Sequence, residues 1–382
     1  MIFCQNCIIP TTRPQVSLEK EGLCTACKGS MEKSQEVDWE SRSNELEELL
    51  RQGKSQDGGT YDCLIPVSGG KDSTWQVHTL INKYGLRPLT MTWKPRLRTD
   101  IGTRNLENLI ELGVDHMDFT CNPKIERKFM LRAFEQNGSP SLSEHMAMYS
   151  MALRTAMQNK IKIIVWGENP GAEYGGSKED RLNAIMNRDW ISKYGVSNGT
   201  FAEDWMDEDL DRQNMLPYTF PTDEEMNKAQ VRPIFLGWYL RWDPLEVAMK
   251  AQEVGFEWGV KPQTGYYRYA DLDAPFVIVH HMFKWYKFGF TRLWDNLSIE
   301  IRNGRLTRDD AIGFILENPE PIPITQIHQL CQYLRISETR FWEIVEKHRN
   351  LEVWKKDSRG SWTIPAIEKE FGAFPRNYEE LP

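Results

Sequence analysis

The chain has 382 residues, a formal net charge of −8, and 40% apolar against 27% charged side chains. That length supports a sizeable core in two or three domains, and the acidic balance excludes a protein built mainly to bind nucleic acid. No signal-peptide pattern opens the chain and no apolar run reaches the roughly 18–20 residues of a membrane span, so it reads as cytoplasmic, with no membrane partner.

From the start of the chain, Cys4 and Cys7, then Cys24 and Cys27, form two CxxC pairs with 16 residues between them. Four thiolates on two tight turns suit a closed tetrahedral site for structural zinc; an iron–sulfur cluster or four free thiols are the alternatives. Residues 1–31 are too short to build an apolar core, so a metal would supply their stability. The next stretch, 32–60, joins a charge-rich helix from Glu32 to Arg51 to a polar, glycine-bearing linker from Gln52 to Thr60.

At Tyr61 the pattern changes. Residues 61–67 are short, apolar and bounded by turn signals, as a buried strand is. They break into Ser68-Gly69-Gly70-Lys71-Asp72-Ser73, and helical spacing runs from 74 to 84 with Asp72 or Ser73 as its cap. A glycine turn between strand and helix gathers backbone N–H groups and a helix's positive end at one point, which is how a phosphate is held. Lys71 adds a point charge, Ser68 and Ser73 add hydroxyls, and Asp72 is placed to meet a magnesium ion bridging phosphates. The spacing is not that of a Walker A loop.

Strands over 86–93, 115–120 and 161–166 then alternate with helices over 103–112, 122–134 and 143–159. Such alternation implies an α/β fold, a doubly wound parallel sheet over 61–180, with ligands at the carboxyl ends of its strands. The stretch from Gly167 to Gly176 follows one such end. Its Glu168 and Glu173 suit a magnesium ion and its Asn169 a substrate hydroxyl, unless it is an ordinary solvated connection.

Beyond residue 180 the alternation fades into a region, 181–320, whose polar segment 183–221 reads as a long lid or insertion. Gln263 to Asp273 is rich in tyrosine, and Ala274 to Phe290 reads as a helix with Lys284 and Lys287 on one edge. The adjacent His280 and His281 point different ways on that helix, which favours packing or substrate contact over a metal. After a turn at Asn303-Gly304, Thr307 caps a further helix; Arg302, Arg305 and Arg308 either grip an anionic substrate or form a salt-bridged face. Residues 321–382 read as a small helical module and tail.

The SGGKDS turn resembles the signature of the PP-loop ATP pyrophosphatases, whose fold is the adenine-nucleotide alpha-hydrolase type. Together with the four-cysteine knuckle, GENPGAEYGG and the late WDNLSIEIRNGRLTR run, it resembles the bacterial N-acetyl sugar amidotransferase family over nearly the whole chain. The resemblance implies ATP and Mg²⁺ held by Ser68, Gly69, Gly70, Lys71, Asp72, Ser73, Gly167, Glu168, Asn169 and Glu173, with Thr92 beside the adenine. Lys71, Asp72 and Ser73 would do the chemistry, and Arg302, Arg308 and Lys284 would meet the sugar. The implied reaction adenylates the acetamido oxygen of a nucleotide-linked sugar and lets ammonia displace AMP, giving an acetamidino group for LPS O-antigen or flagellar sugars.

No cysteine sits in a glutaminase context, so a separate glutaminase is expected to supply ammonia, with or without a channelling, synthase-like subunit. Two rivals remain: a PP-loop enzyme that thiolates tRNA, in which Cys121 would carry sulfur, and a nucleotide-binding scaffold without catalysis.

Overall fold

Five short strands lie parallel in one sheet in the computed structural model, which describes residues 1–54 and 60–379. The middle of the expected linker, 55–59, and the end of the tail, 380–382, fall outside the described residues. The strands are β1 (Cys63–Pro66), β2 (Pro88–Trp93), β3 (Asp115–Phe119), β4 (Ile163–Trp166) and β5 (Arg232–Phe235), in spatial order β3-β2-β1-β4-β5. The chain winds outward from β1 through β2 to β3, then returns to β4 on the other side of β1. The winding therefore reverses between β1 and β4, where Leu64 faces Ile164, and a crevice opens at their carboxyl ends.

Alternation across the sheet divides its side chains between two apolar layers. Cys63, Ile65, Ile163 and Val165 pack on one face with Trp75 and Leu80 of the helix Lys71–Asn82, while Leu64, Leu89 and Ile164 pack on the other with Ala152 and Ala156 of the helix Leu142–Gln158. The four strands read from the sequence are present with ends trimmed by one or two residues. β5 was not foreseen: four residues carrying Arg232 and Pro233 give a weak strand signal, and proline is tolerated because β5 is an edge.

Three expectations need correction. The single charge-rich helix from Glu32 to Arg51 is two, Thr25–Gln35 and Trp39–Gly53, the second started by Asp38, whose side chain accepts from Ser41 N–H. The helix Lys71–Asn82 starts three residues early, with Gly70 (φ −71°, ψ 169°) rather than Asp72 or Ser73 as its cap, so Lys71 and Asp72 belong to its first turn. The segment 183–221 is not a free lid. Its Trp190, Leu210 and Met215 are buried, and its Thr219 carbonyl accepts from Ser150 Oγ (2.7 Å) and Arg154 Nη2 (2.8 Å). Trp190 and Phe220 of that stretch finish one layer on the sheet, while Trp205 and Tyr218 pack on Phe129.

The C-terminal helices, among them Phe276–Phe288, Arg292–Arg302, Arg308–Glu317, Ile324–Leu334 and Glu338–Lys347, share one core around Trp285, Trp294 and Phe341. Phe3 and Ile8 enter it from the knuckle, and Met130 and Phe134 from the sheet unit, while residue 320 lies within its span. The helix Arg292–Arg302 was not read from the sequence. Among the described residues, no helix is long and apolar enough to cross a membrane.

Candidate active site at the glycine turn

Gly69 turns the chain at φ +86°, and a Cβ there would stand 2.7 Å from the Leu106 backbone nitrogen, so only glycine fits both the angle and the approach. The turn is held from within. Gly70 N–H donates to Ser68 Oγ and Ser68 N–H donates to Ser73 Oγ, both at 3.2 Å. Lys71 Nζ bonds Asp72 Oδ2 (2.5 Å) and lies 5.3 Å from the centre of the Trp242 ring, while Trp242 Nε1 donates to Asp72 Oδ1 (2.8 Å). A cation with a single carboxylate partner, at a helix N-terminus, is equipped to exchange that partner for phosphate oxygens.

Two cavities meet at this turn. One, of about 340 Å³, runs under the ends of β1, β2 and β4 between Thr92, Met148 and Trp166. The other, of about 240 Å³, lies over the start of the helix between Lys71, Asn105, Tyr174 and Arg292. Both share Ser68, Asp72, Glu168, Asp271 and Asp273. The turn thus divides one bowl into a side that carries Met91, Met148 and Trp166, where a base can pack, and a side lined by Lys71, Asn105 and Arg292.

The shared carboxylates are electrostatically crowded. Burial, with Asp72 beside it, pushes Glu168 up to about 7, and burial pushes Asp273 up to about 6 and Glu144, on the wall of the larger cavity, up to about 8. Burial would raise Asp271 as well, but His281 and Arg292 beside it hold it below the ordinary carboxylate range. Asp72 and Glu168, facing one space with the other shared carboxylates, are a donor set of the kind that holds magnesium through one or two carboxylates and substrate phosphates.

Asp271, Asp273, Trp242, Tyr174 and Arg292 were not among the residues singled out. The acids at the end of the tyrosine-rich run, two positions apart, were the available signal. Asp273 reaches the site because Thr99 N–H donates to its carbonyl (3.1 Å) and because Gly102, where a Cβ would stand 2.6 Å from the Asp273 Cα, lets that segment close on the turn.

Of the expected residues, Ser68 to Ser73, Thr92, Gly167 and Glu168 come together around the bowl. Thr92 Oγ1 donates to the Val67 carbonyl (2.5 Å), so it fixes the strand end. The rest lie elsewhere. Asn169 is buried with its amide committed: Oδ1 accepts from Gly171 N–H (2.9 Å) and Trp190 Nε1 (3.1 Å), and Nδ2 donates to the carbonyls of Asp180 and Asn183. It shapes the loop and has no donor or acceptor to offer a substrate. Glu173 turns away and pairs with Lys33 (2.6 Å). Arg302 donates to the Glu173 carbonyl (2.7 Å) in the loop after β4, and Arg308 to the Cys7 carbonyl (3.1 Å) of the knuckle and to Glu370 (2.5 Å), so both hold structure together instead of lining the bowl. Lys284 lies in a neighbouring cavity, bonded to Asp295 (2.8 Å). Burial pushes His280 and His281 below their ordinary value, as packing predicts, and Ser139 lies 3.3 Å from His280 Nδ1.

The four knuckle cysteines are buried, with ligand atoms all within 4.8 Å of one another. The separations of 3.8 Å between the sulfurs of Cys4 and Cys27 and 3.7 Å between those of Cys7 and Cys24 match the edge of a tetrahedron with metal–sulfur bonds of about 2.3 Å. Cys4, Cys7, Cys24 and Cys27 therefore fit zinc, in a closed site away from the bowl.

Comparison with known proteins adds the following. Residues 263–368 match the model of the C-terminal domain of WbpG-like LPS biosynthesis proteins. An uncharacterized protein of Methanocaldococcus jannaschii is 31% identical over 123 residues, 31% of this chain; the chain spans only 43% of that relative's length. Among solved structures, an NMN synthetase from Francisella tularensis is similar at 14% identity and TM-score 0.28, over 60% of this chain and 100% of that one. An NH3-dependent NAD synthetase from Campylobacter jejuni is similar at 10% identity and TM-score 0.29, over 58% and 94%. The fold assignment rests on the strand order and the glycine turn, and the family-model match lies in the helical region, 263–368. Residues 263–368 are thus similar to the C-terminal domain of WbpG-like LPS biosynthesis proteins, and in this chain they follow a parallel α/β unit with a glycine turn and an N-terminal cysteine knuckle.

Proposed function

We propose that the protein is an ATP-dependent, AMP- and pyrophosphate-forming amidotransferase that converts the acetamido group of a nucleotide-linked sugar to an acetamidino group for LPS O-antigen or flagellar sugar biosynthesis. The observation that carries this reading is the glycine turn at the winding reversal, with Lys71 and Asp72 in the first helical turn and a cavity on each side.

An amide carbonyl resists ammonia because oxide is a very poor leaving group. In the proposed reaction the carbonyl oxygen attacks the α-phosphorus, pyrophosphate leaves, ammonia adds to the carbon, and AMP departs with the original oxygen as protons are lost. Lys71 and the N–H groups of the turn are placed to take the charge released on pyrophosphate. Magnesium, when bound, would neutralise phosphate charge, and Asp72 and Glu168 are the residues that would hold it. Trp242 fixes the Asp72 carboxylate through its Nε1 bond, and Tyr174 and Arg292 wall the side from which the acceptor would approach. Ammonia would come from a separate glutaminase. The thiolating alternative is disfavoured, because Cys121 is 1% exposed, lines neither cavity, and has its thiol pushed up to about 11 by burial.

The purified chain with ATP, ammonium and a panel of acetamido nucleotide sugars should release AMP and pyrophosphate together with the small mass decrease of C=O becoming C=NH. ATP turnover that never alters a sugar would end this reading. Glutamine in place of ammonium should give no product, and turnover with glutamine in a clean preparation would end the part that invokes a partner.

A further inference from the structure

A third cavity, of about 220 Å³, lies behind Tyr174 between the helix Phe276–Phe288, the knuckle's Arg13 and the loop after Asn137. Whole-ligand pockets run to roughly 300–1,000 Å³, so this one suits part of a ligand whose remainder lies elsewhere. Tyr174 is also a wall of the cavity over the glycine turn, and the guanidinium groups of Arg13 and Arg292 sit 5.1 and 5.6 Å from its ring centre.

The charges on this cavity do not balance. Arg13, Lys284 and Lys287 line it, and no carboxylate does. Asp295, buried behind them, accepts from Arg13 Nε (2.7 Å) and Lys284 Nζ (2.8 Å), and Arg292 also leans on it (3.9 Å). Lys287 Nζ donates to the Asn137 carbonyl (2.7 Å) and lies 5.4 Å from the centre of the Phe288 ring, with no carboxylate partner among the described residues. Three cations against one carboxylate leave two positive charges facing a shared space, a costly arrangement unless an anion enters it. The Lys193 ammonium at the rim is different: it is exposed and already paired with Asp189 (2.7 Å). The burial that leaves Lys287 without a carboxylate also pushes it down to about 8.

We infer that this cavity is a subsite for an oxyanion of the acceptor, held by Lys287 with Arg13 and Lys284, while the acetamido group reaches past Tyr174 to the glycine turn. This deepens the proposed function, on which it rests, by assigning to Lys287, Arg13 and Lys284 the anionic group of the acceptor. The oxyanion is either the diphosphate that links sugar to nucleoside or a carboxylate on the sugar itself. Phe283, Phe288 and Phe290 on the same wall offer an apolar surface beside it.

The test is titration calorimetry on the full zinc-loaded chain with the ATP site saturated by ATP, using uridine diphosphate, glucuronate and uncharged N-acetylglucosamine as probes. At least one anionic probe should bind the native chain, about 10- to 100-fold more weakly to Lys287→Gln, with recovery in Lys287→Arg. Lys287→Gln breaks no ion pair, and the Lys287→Arg rescue separates loss of charge from loss of fold. Binding of uridine diphosphate that responds to these changes assigns the diphosphate, and binding of glucuronate that responds assigns the carboxylate. If neither anion binds, if Lys287→Gln binds as the native chain does, or if N-acetylglucosamine binds as well as the anions, the inference is overturned. Amidination measured in parallel keeps the two proposals apart. Sugar turnover without anion binding sinks only the subsite, and Lys287-dependent anion binding without turnover of any acetamido sugar sinks only the functional reading.

Discussion

Glu168 and Asn169 are neighbours in sequence with opposite fates. Glu168 sits in the bowl with its folded value raised to about 7 from an ordinary 4.5, chiefly by burial. A carboxyl raised by folding stabilises the fold below its unfolded value, and that contribution is lost as pH rises through the folded value. Stability of the metal-free chain should therefore fall between pH 4.5 and 7, and Glu168→Gln should flatten that part of the profile. At pH 8 the variant should be more stable by about 1 kcal/mol, the shift being discounted for water reaching the bowl, yet slower in turnover. Urea denaturation across the pH range and a pyrophosphate-release assay check both parts. Asn169→Ala should behave in reverse. The buried Trp190 Nε1 and the Gly171 N–H lose their acceptor, so stability should drop by ~2–3 kcal/mol, while the KM for ATP moves little in the protein that remains folded.

The strand–turn–helix unit from Cys63 to Asn82 shows why its function could be read locally. A phosphate cradle is made by consecutive backbone groups, so a short stretch of sequence contains nearly the whole device. Gly69→Ala should cost about 1–2 kcal/mol from its left-handed angle alone, and more from the Leu106 backbone behind it. ATP binding should be lost together with that stability, measurable by calorimetry beside a denaturant titration. Lys71→Ala should leave the fold intact and slow pyrophosphate release by ~10²–10³-fold. The helix boundary was displaced because a side-chain cap was assumed where Gly70 does the work through its backbone angles. The segment 183–221 was misjudged for a related reason: its apolar residues are too irregularly spaced to show periodicity, and only packing against the helix Leu142–Gln158 reveals them as core.

At the scale of the whole molecule, the cysteine knuckle acts as a fastener. Arg308 ties it to the helical region through the Cys7 carbonyl, Lys33, on the helix that leaves the knuckle, reaches Glu173 in the loop after β4, and Phe3 and Ile8 plug the C-terminal core. Stripping zinc with a strong chelator should therefore loosen both ends of the chain. The melting temperature should fall by roughly 5 °C or more, since each kcal/mol is worth about 1–1.5 °C in a chain of this length and a structural zinc site contributes several kcal/mol. Calorimetry with zinc added back would check it, and a chelated protein that melted unchanged would contradict the fastener role.

The chain's linear order alone was enough for the parallel α/β class, the glycine turn and the CxxC pairs, because each rests on interactions among residues close in sequence. Which acids share the bowl is a long-range matter. Asp271 and Asp273 come from some two hundred residues beyond Asp72, and Glu173 lies only five residues beyond Glu168 yet faces the other way. Arg302 and Arg308, cationic and closely spaced, looked equally suited to substrate or to structure, and the partners that decided it, the Glu173 and Cys7 carbonyls, were brought to them by folding. Local backbone chemistry is written in consecutive letters, whereas convergence of side chains depends on how layers pack, and that is set only when the whole chain has closed on itself.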